Sequence, residues 1–276
     1  MASSLSHSLG YPIVDSHAHL FTRDMPLNDQ PRHRPAYDFR VQDYIATLDR
    51  HGVRYGVIAA ASPWSDYNDY TIDSVRNNPR LRGTVIVKPS VERYILELMK
   101  KDGIVGVRLP FIGLPSLPDL TSFEYRRLLK RIADLDWYVH LHIDGARLLD
   151  VLPLLLASGV KIVIDHLGRL KREDCPDTPA FRAMVSAVAA GRTWIKASGP
   201  HRLGAHDAAE ILRAFAREAG DERLIWASDC PFVGEESHTT YQQTLDWLRE
   251  ALPDPASQQR VLSKNALTLH GFDHAG

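Results

Sequence analysis

His17 and His19 stand one residue apart in the stretch Ile-Val-Asp-Ser-His-Ala-His-Leu-Phe, residues 13–21. The stretch reads as a short buried strand. Side chains at i and i+2 of a strand share a face, so both imidazoles point to one place. Two neutral imidazole nitrogens on a rigid strand end are half of a metal site. Taken alone, His-x-His is equally an ordinary polar strand end, and the rest of the chain has to supply the other half. Asp229 follows the apolar segment 223–228, and His140 and His142 lie on the apolar segment 137–143. His142 is nearer that segment's C-terminal end and is the preferred ligand, whereas His140, one layer deeper, reads as a hydrogen-bonded core histidine. His17, His19, His142 and Asp229 form a three-nitrogen, one-oxygen set suited to a single divalent ion such as zinc. Such an ion lowers the pKa of water, and Asp229 is placed to take the proton. His166, directly after Asp165, is expected to orient that water or polarise a carbonyl.

These residues need a frame that brings distant segments together. Eight apolar strand segments are legible, at 13–21, 55–61, 81–88, 104–109, 137–143, 161–165, 193–197 and 223–228. Helical patterns fill the intervals, at 41–51, from Thr71, and at 94–101, 123–135, 146–156, 179–190, 206–219 and 239–251, with a last one at 256–269. Alternation of this kind over 276 residues, with no composition shift or linker, predicts one (β/α)₈ barrel of the TIM type spanning 1–276. A doubly wound open sheet has the same periodicity. The polar residues decide between them, because Lys88, Arg108, His142, Asp144, His166, Lys196 and Asp229 recur at strand C-terminal ends, as do His17 and His19. A closed barrel gathers those ends into one ring, and an open sheet spreads them along an edge. Residues 22–40, with Pro26, Pro31 and Pro35, are too long for a simple connection and are expected to form a loop over the barrel mouth.

A net charge of −1 gives no basic field to hold nucleic acid or an anionic membrane, and no apolar run reaches the roughly 18 residues of a membrane span. Cys175 and Cys230 are too few for a disulfide framework, and the first ten residues lack the basic and apolar regions of a leader, so a cytoplasmic enzyme is expected. Arg108, Arg169 and Arg202 each fall just past a predicted strand, where guanidinium groups can clamp carboxylates, so a small anionic substrate is expected. Trp64, Tyr67 and Tyr70 are candidates to wall such a pocket, Tyr67 foremost, though helical packing accounts for them equally. Strand parity leaves open whether Lys88 and Lys196 face inward, and nothing specifies an oligomeric state.

The pattern resembles the amidohydrolase superfamily, on the strength of Ile13 to Phe21, Asp-His-Leu-Gly-Arg at 165–169, Lys-Ala-Ser-Gly-Pro-His-Arg at 196–202 and Trp-Ala-Ser-Asp-Cys-Pro at 226–231. These blocks are most similar to the branch of pyrone-dicarboxylate lactonases and related lactone hydrolases. The resemblance implies a (β/α)₈ barrel with His-x-His on the first strand, histidines ending the fifth and sixth, and Asp ending the eighth. It implies a hydrolase that opens a carboxylated lactone by water attack at the barrel mouth. The fourth strand ends Val-Gly-Val-Arg-Leu-Pro, without the Lys or Glu that bridges two metals in other branches, so at most one ion is expected. Members of this branch work both with zinc and without metal, and both stay open here. A metal-dependent decarboxylase of an aromatic or conjugated acid is the alternative, and an inactive barrel that binds an acidic metabolite is a remote third.

Overall fold

The computed structural model describes residues 10–272. The expectation that the first ten residues form no leader therefore falls, apart from Gly10, outside the described residues. Eight strands follow one another: β1 (Ile13–Ala18), β2 (Val53–Ala59), β3 (Leu81–Val85), β4 (Ile104–Pro110), β5 (Tyr138–His142), β6 (Lys161–Ile164), β7 (Thr193–Ala197) and β8 (Leu224–Trp226). All neighbours pair in parallel and in chain order. A bridge between Ala18 and Cys230 brings the end of β1 to the segment after β8. His19 N donates to Cys230 O at 2.8 Å, and Asp229 N donates to His17 O at 2.9 Å across the same seam. The result is the (β/α)₈ barrel, with residues buried on both faces of the strands reading as apolar runs.

Helix starts are written in local chemistry. Ser122, Thr178, Thr240 and Asp254 each accept a hydrogen bond from the backbone N–H three residues on, and Pro179 and Pro255 occupy first-turn positions. The last helix is interrupted: Pro255–Gln259 leads through a π-helical turn, Arg260–Lys264, into Asn265–His270, and stops at Gly271 with φ +65°. Two strand ends differ from their sequence pattern. β2 ends at Ala59 because Ser62–Trp64 forms a 3₁₀ turn with Pro63 inside it. β3 ends at Val85, and Lys88 lies outside with its side chain 77% exposed beside Asp66. Among the described residues no helix is long and apolar enough to cross a membrane.

The barrel interior is tiered. At the bottom Val14, Tyr55, Tyr138, Val163, Trp194 and Ile225 pack with Leu267, Leu269 and Phe272 of the chain's end. His270 joins this plug, with Nδ1 3.2 Å from Tyr138 Oη and Nε2 3.2 Å from Ser16 Oγ. The next tier is polar: His17, Thr84, His140, Asp165 and Lys196 are buried and linked by hydrogen bonds. On β5 the alternation Tyr138, His140, His142 climbs from the plug to the mouth.

The seam is held by Asp15. Its Oδ1 accepts from Ser228 N at 2.8 Å and His17 N at 3.2 Å, and its Oδ2 accepts from Ser228 Oγ at 2.6 Å, Tyr44 Oη at 3.0 Å and Tyr241 Oη at 2.9 Å. Burial raises its carboxyl pKa, and the hydrogen bonds from Ser228 and His17 oppose that rise. Asp15→Asn turns one acceptor into a donor facing donors, and we expect it to lower unfolding stability by about 3 kcal/mol. Denaturant titration checks this, and an unchanged midpoint would mean that the seam does not rest on Asp15.

Acid should loosen the same interior. Burial, with Lys196 adding to it and Asp165 opposing, lowers His140 to about 3. Burial and the charges of Lys196 and His140 hold His270 well below its ordinary value. Both stay neutral in the fold and take protons when unfolded, near pH 6.5. The unfolded state thus binds more protons between pH 6.5 and the folded values, so stability falls as pH drops, by about 1.4 kcal/mol per pH unit for each such histidine. Melting temperatures measured from pH 7.5 to 5 should hold above about pH 6.5 and fall increasingly below it. A flat profile over that range would contradict the neutral interior.

Candidate active site

β1 delivers His17 and His19 to the mouth through an irregular register between Asp15 and Ala18. Their rings are perpendicular, and their Nε2 atoms lie 3.1 Å apart. His19 Nδ1 is 2.7 Å from Ala59 O, an acceptor only, so Nδ1 carries the proton and Nε2 offers a lone pair. Asp229 follows β8 with φ +65°, a left-handed backbone that turns its carboxylate toward β1. Asp229 Oδ1 is 3.6 Å from His17 Nε2, 3.7 Å from His19 Nε2 and 3.9 Å from His166 Nε2. That oxygen is buried and has no hydrogen-bond partner. Oδ2 is engaged, by His201 Nε2 at 3.1 Å and by Arg202 Nε. Burial alone would raise the Asp229 pKa, but Arg202, His166 and His201 hold it well below the carboxylate range, so it is ionised.

The trio of His17, His19 and Asp229 fits a small divalent ion. Tetrahedral zinc with bonds near 2.0–2.1 Å sets ligand atoms about 3.3 Å apart. Separations of 3.1, 3.6 and 3.7 Å among these three lone-pair atoms bracket that value, and the unpartnered Oδ1 is the oxygen such an ion would engage. A second acid and histidine group, His17, His140 and Asp165, lies beneath it. There Lys196 already fills the cationic role, with Nζ 3.1 Å from Asp165 Oδ1, 2.8 Å from His140 Nε2 and 3.0 Å from His17 Nδ1. Burial lowers Lys196 to about 8 against the pull of Asp165. Arg108 completes this layer, with Nη2 3.3 Å from Asp165 Oδ2 and 3.2 Å from His142 Nδ1, and Nη1 donating to Ala60 O at 2.8 Å.

After β6 the backbone turns through four consecutive left-handed residues, His166, Leu167, Gly168 and Arg169, with φ from 48° to 70°. At Gly168 a Cβ would come within 2.6 Å of Met184 Sδ, so the turn needs glycine for space as well as for its dihedral. It aims His166 at Asp229 and sends Arg169 to the pocket wall. Ser198 Oγ fixes the His166 ring at Nδ1, 2.9 Å away. Burial and Arg202, against Asp229 and Asp165, lower His166 to about 4, so it is neutral near pH 7.

A pocket opens above these groups, walled by His19, Arg108, His142, His166, Arg169, Arg202 and Asp229, and by Phe21 and Trp64. The residues anticipated from sequence thus gather at one mouth, with two exceptions in placement. His142 stands on the wall with Nδ1 on Arg108 and an unpartnered Nε2, and it joins neither group of possible ligands. Its ring centroid is 5.4 Å from that of His166. Tyr67 is 37% exposed and does not line the pocket, since the Ser62–Trp64 turn brings Trp64 inward, stacked on Phe21 at 5.0 Å. Tyr70 accepts from Val41 N and packs in the helical layer. Lys196 faces inward and Lys88 does not.

Several participants were not singled out by spacing: Asp165, Ser198, His201, Arg32 and His33. Asp165 immediately precedes His166, and Ser198 and His201 sit inside the stretch 196–202 that ends in Arg202. Those positions were therefore readable by adjacency. Arg32 and His33 on the long loop also line the pocket and carried no signal beyond the loop's length.

Residues 14–272 match the family profile described as amidohydrolase. The 4-sulfomuconolactone hydrolase of Rhizobium radiobacter is 28% identical over 270 residues, covering 93% of this chain and 89% of that protein. A crystal structure from Acinetobacter baumannii, described as a probable 2-pyrone-4,6-dicarboxylic acid hydrolase with citric acid bound, superposes with a TM-score of 0.89 at 30% identity, covering 94% and 99% of the two chains. A manganese-bound dihydroxybenzoic acid decarboxylase from Polaromonas shares the fold alone, at 18% identity, TM-score 0.65 and coverage of 96% and 98%. With its profile match spanning nearly the whole sequence and its histidine and aspartate set gathered at the barrel mouth, the chain belongs to the amidohydrolase family.

Proposed function

We propose that this protein hydrolyses a small carboxylated lactone by water attack at the C-terminal mouth of the barrel. The observation that carries the reading is the bare Oδ1 of Asp229, facing the Nε2 atoms of His17, His19 and His166 at the base of an arginine-lined pocket. A water held there donates one hydrogen bond to Asp229 Oδ1 and is oriented by the imidazoles. As its oxygen adds to the lactone carbonyl, Asp229 takes the proton. Arginine donors on the wall stabilise the charge that develops on the carbonyl oxygen. Collapse breaks the ring C–O bond, and the proton passes from Asp229 to the departing alkoxide, so one water is consumed and one new acid is formed. His17, His19 and Asp229, with His166 beside them, are the residues that would hold a zinc-type ion. Such an ion, when bound, supplies water acidified to near-neutral pKa.

Homology to a sulfomuconolactone hydrolase, and to a structure that holds citric acid, supports an anionic, multiply charged lactone over a neutral one. We assign Arg108, Arg169 and Arg202 to substrate and transition-state charge, Asp229 and His166 to catalysis, and His142 to the wall beside them. Residues 1–276 are read as one catalytic domain with 22–40 over its mouth, acting in the cytoplasm on a freely diffusing metabolite.

Asp229→Asn should retain the fold and lower kcat/KM on a carboxylated lactone by about 10³-fold, measured by base uptake at constant pH. Near wild-type turnover would remove Asp229 from its role, and carbon dioxide release in place of acid formation would move the protein to the decarboxylases. Metal content after purification without added metal, paired with activity before and after a strong chelator, separates the two forms of the mechanism. One ion per chain with activity lost on stripping assigns the water's acidification to the ion. Full activity in stripped protein assigns catalysis to Asp229 and the arginines alone.

A further inference from the structure

The loop 22–40 is a strap tied at both ends. On one side Asn28 N donates to Pro63 O at 2.8 Å, and Asn28 Nδ2 donates to Ser62 O at 2.9 Å, which fastens it to the loop after β2. On the other, Tyr37 Oη donates to Glu236 Oε1 at 2.9 Å, which fastens it to the loop after β8. Arg32 stands between these ties and lines the pocket together with Arg108, Arg169 and Arg202. Its guanidinium reaches toward the loop after β4, where a Cβ placed on Gly113 would lie 4.0 Å from Arg32 Nε.

The four guanidinium groups differ in what balances them. Arg108 is paired with Asp165, and Arg202 is bonded to Asp229. Arg169 has Asp144 at 3.6 Å, but its buried Nε has no hydrogen-bond partner. Arg32 has no carboxylate within ion-pair distance among the described residues. Partial burial and the repulsion of Arg169 and Arg202 lower its pKa, and the Asp144 carboxylate opposes them only in part. Arg32 and Arg169 thus share the one carboxylate of Asp144, which leaves positive charge for a ligand on this pair, and neither is bonded to Asp229 as Arg202 is.

We infer that Arg32, together with Arg169, forms an outer carboxylate subsite that selects substrates with an acid group remote from the scissile ester. The inference rests on the lactone-hydrolase reading for the word substrate, but the subsite itself is a binding claim. It predicts a specificity in which the strap arginine adds binding energy only for the second or third acid of the ligand.

The test is calorimetric titration with propane-1,2,3-tricarboxylate, which has no ester to hydrolyse, and with a monocarboxylate, butanoate. Arg32→Gln is compared with wild type, with Arg34→Gln on the same loop as control. The expected result is tricarboxylate binding weakened about 10- to 100-fold in Arg32→Gln and unchanged in Arg34→Gln, with butanoate no weaker in either. Equal loss in both variants, no loss in Arg32→Gln, or a wild type that binds the two acids alike would overturn the subsite. Because this readout needs no turnover, a protein that binds the tricarboxylate through Arg32 but opens no lactone would sink the proposed function and keep the subsite. Where turnover is found, Arg32→Gln should raise KM for a diacid lactone by a similar factor and leave kcat in place. A fall in kcat alone would reassign Arg32 to the chemistry.

Discussion

A buried carboxylate closes this barrel. Asp15 receives five hydrogen bonds, from the backbone of His17, from both groups of Ser228 and from Tyr44 and Tyr241, and so ties β1 to the segment after β8 and to two helices. Without water to solvate it, each of its lone pairs needs a donor, and each donor in turn is fixed by accepting that duty. His17 lies two residues beyond Asp15 and Asp229 one beyond Ser228. Closing the sheet and bringing the histidine pair onto the aspartate are therefore one event. The separations of 3.6 and 3.7 Å from Asp229 Oδ1 to the two Nε2 atoms are a consequence of where the seam is pinned.

Beneath the mouth a second ionic layer sets the posture of the first. Asp165 accepts from His140 at 2.6 Å and contacts Lys196 and Arg108 at 3.1 and 3.3 Å, and it holds His17 at Nδ1. Burial would raise its pKa, but His140, Lys196 and His17 keep it well below the ordinary value. Removing any one partner would strand a charge in the interior, where it is costly. This density of compensating groups is unlike a packing core, which the barrel keeps for its bottom tier and its outer helical layer.

How far the sequence could be read follows from which signals are local. The order of strands and helices was legible because apolar runs and helical patterns act within a few residues. His17, His19, His166 and Asp229 were legible because they end strands, and a barrel gathers strand ends whatever its loops do. His142 and Tyr67 were harder, for a geometric reason. Strand parity gives the face of a side chain but not which neighbour across an eight-membered ring it meets, and Arg108 takes up His142 Nδ1. Tyr67 depended on the path of a loop, where a 3₁₀ turn with Pro63 turned Trp64 inward instead. Arg32 is the extreme case. Its position is fixed by ties at Asn28 and Tyr37 to loops 34 and 199 residues away in sequence, which no local pattern encodes.

The charges at the mouth couple whatever binds there. Asp165 and Asp229 contribute two negative charges against three positive ones on Arg108, Lys196 and Arg202, before Arg169 and Arg32 are counted. A divalent ion at the His17, His19 and Asp229 trio would add to an excess that is already positive, whereas a polyanionic ligand would offset it. Interactions between charges in a low-dielectric pocket are strong enough for each to bias the other's affinity, and that bias is reciprocal by linkage. The surroundings of Asp229 thus favour an ion more when an acidic ligand is present than when it is absent. The same arrangement lets Arg202 hold the aspartate ionised with no ion at all.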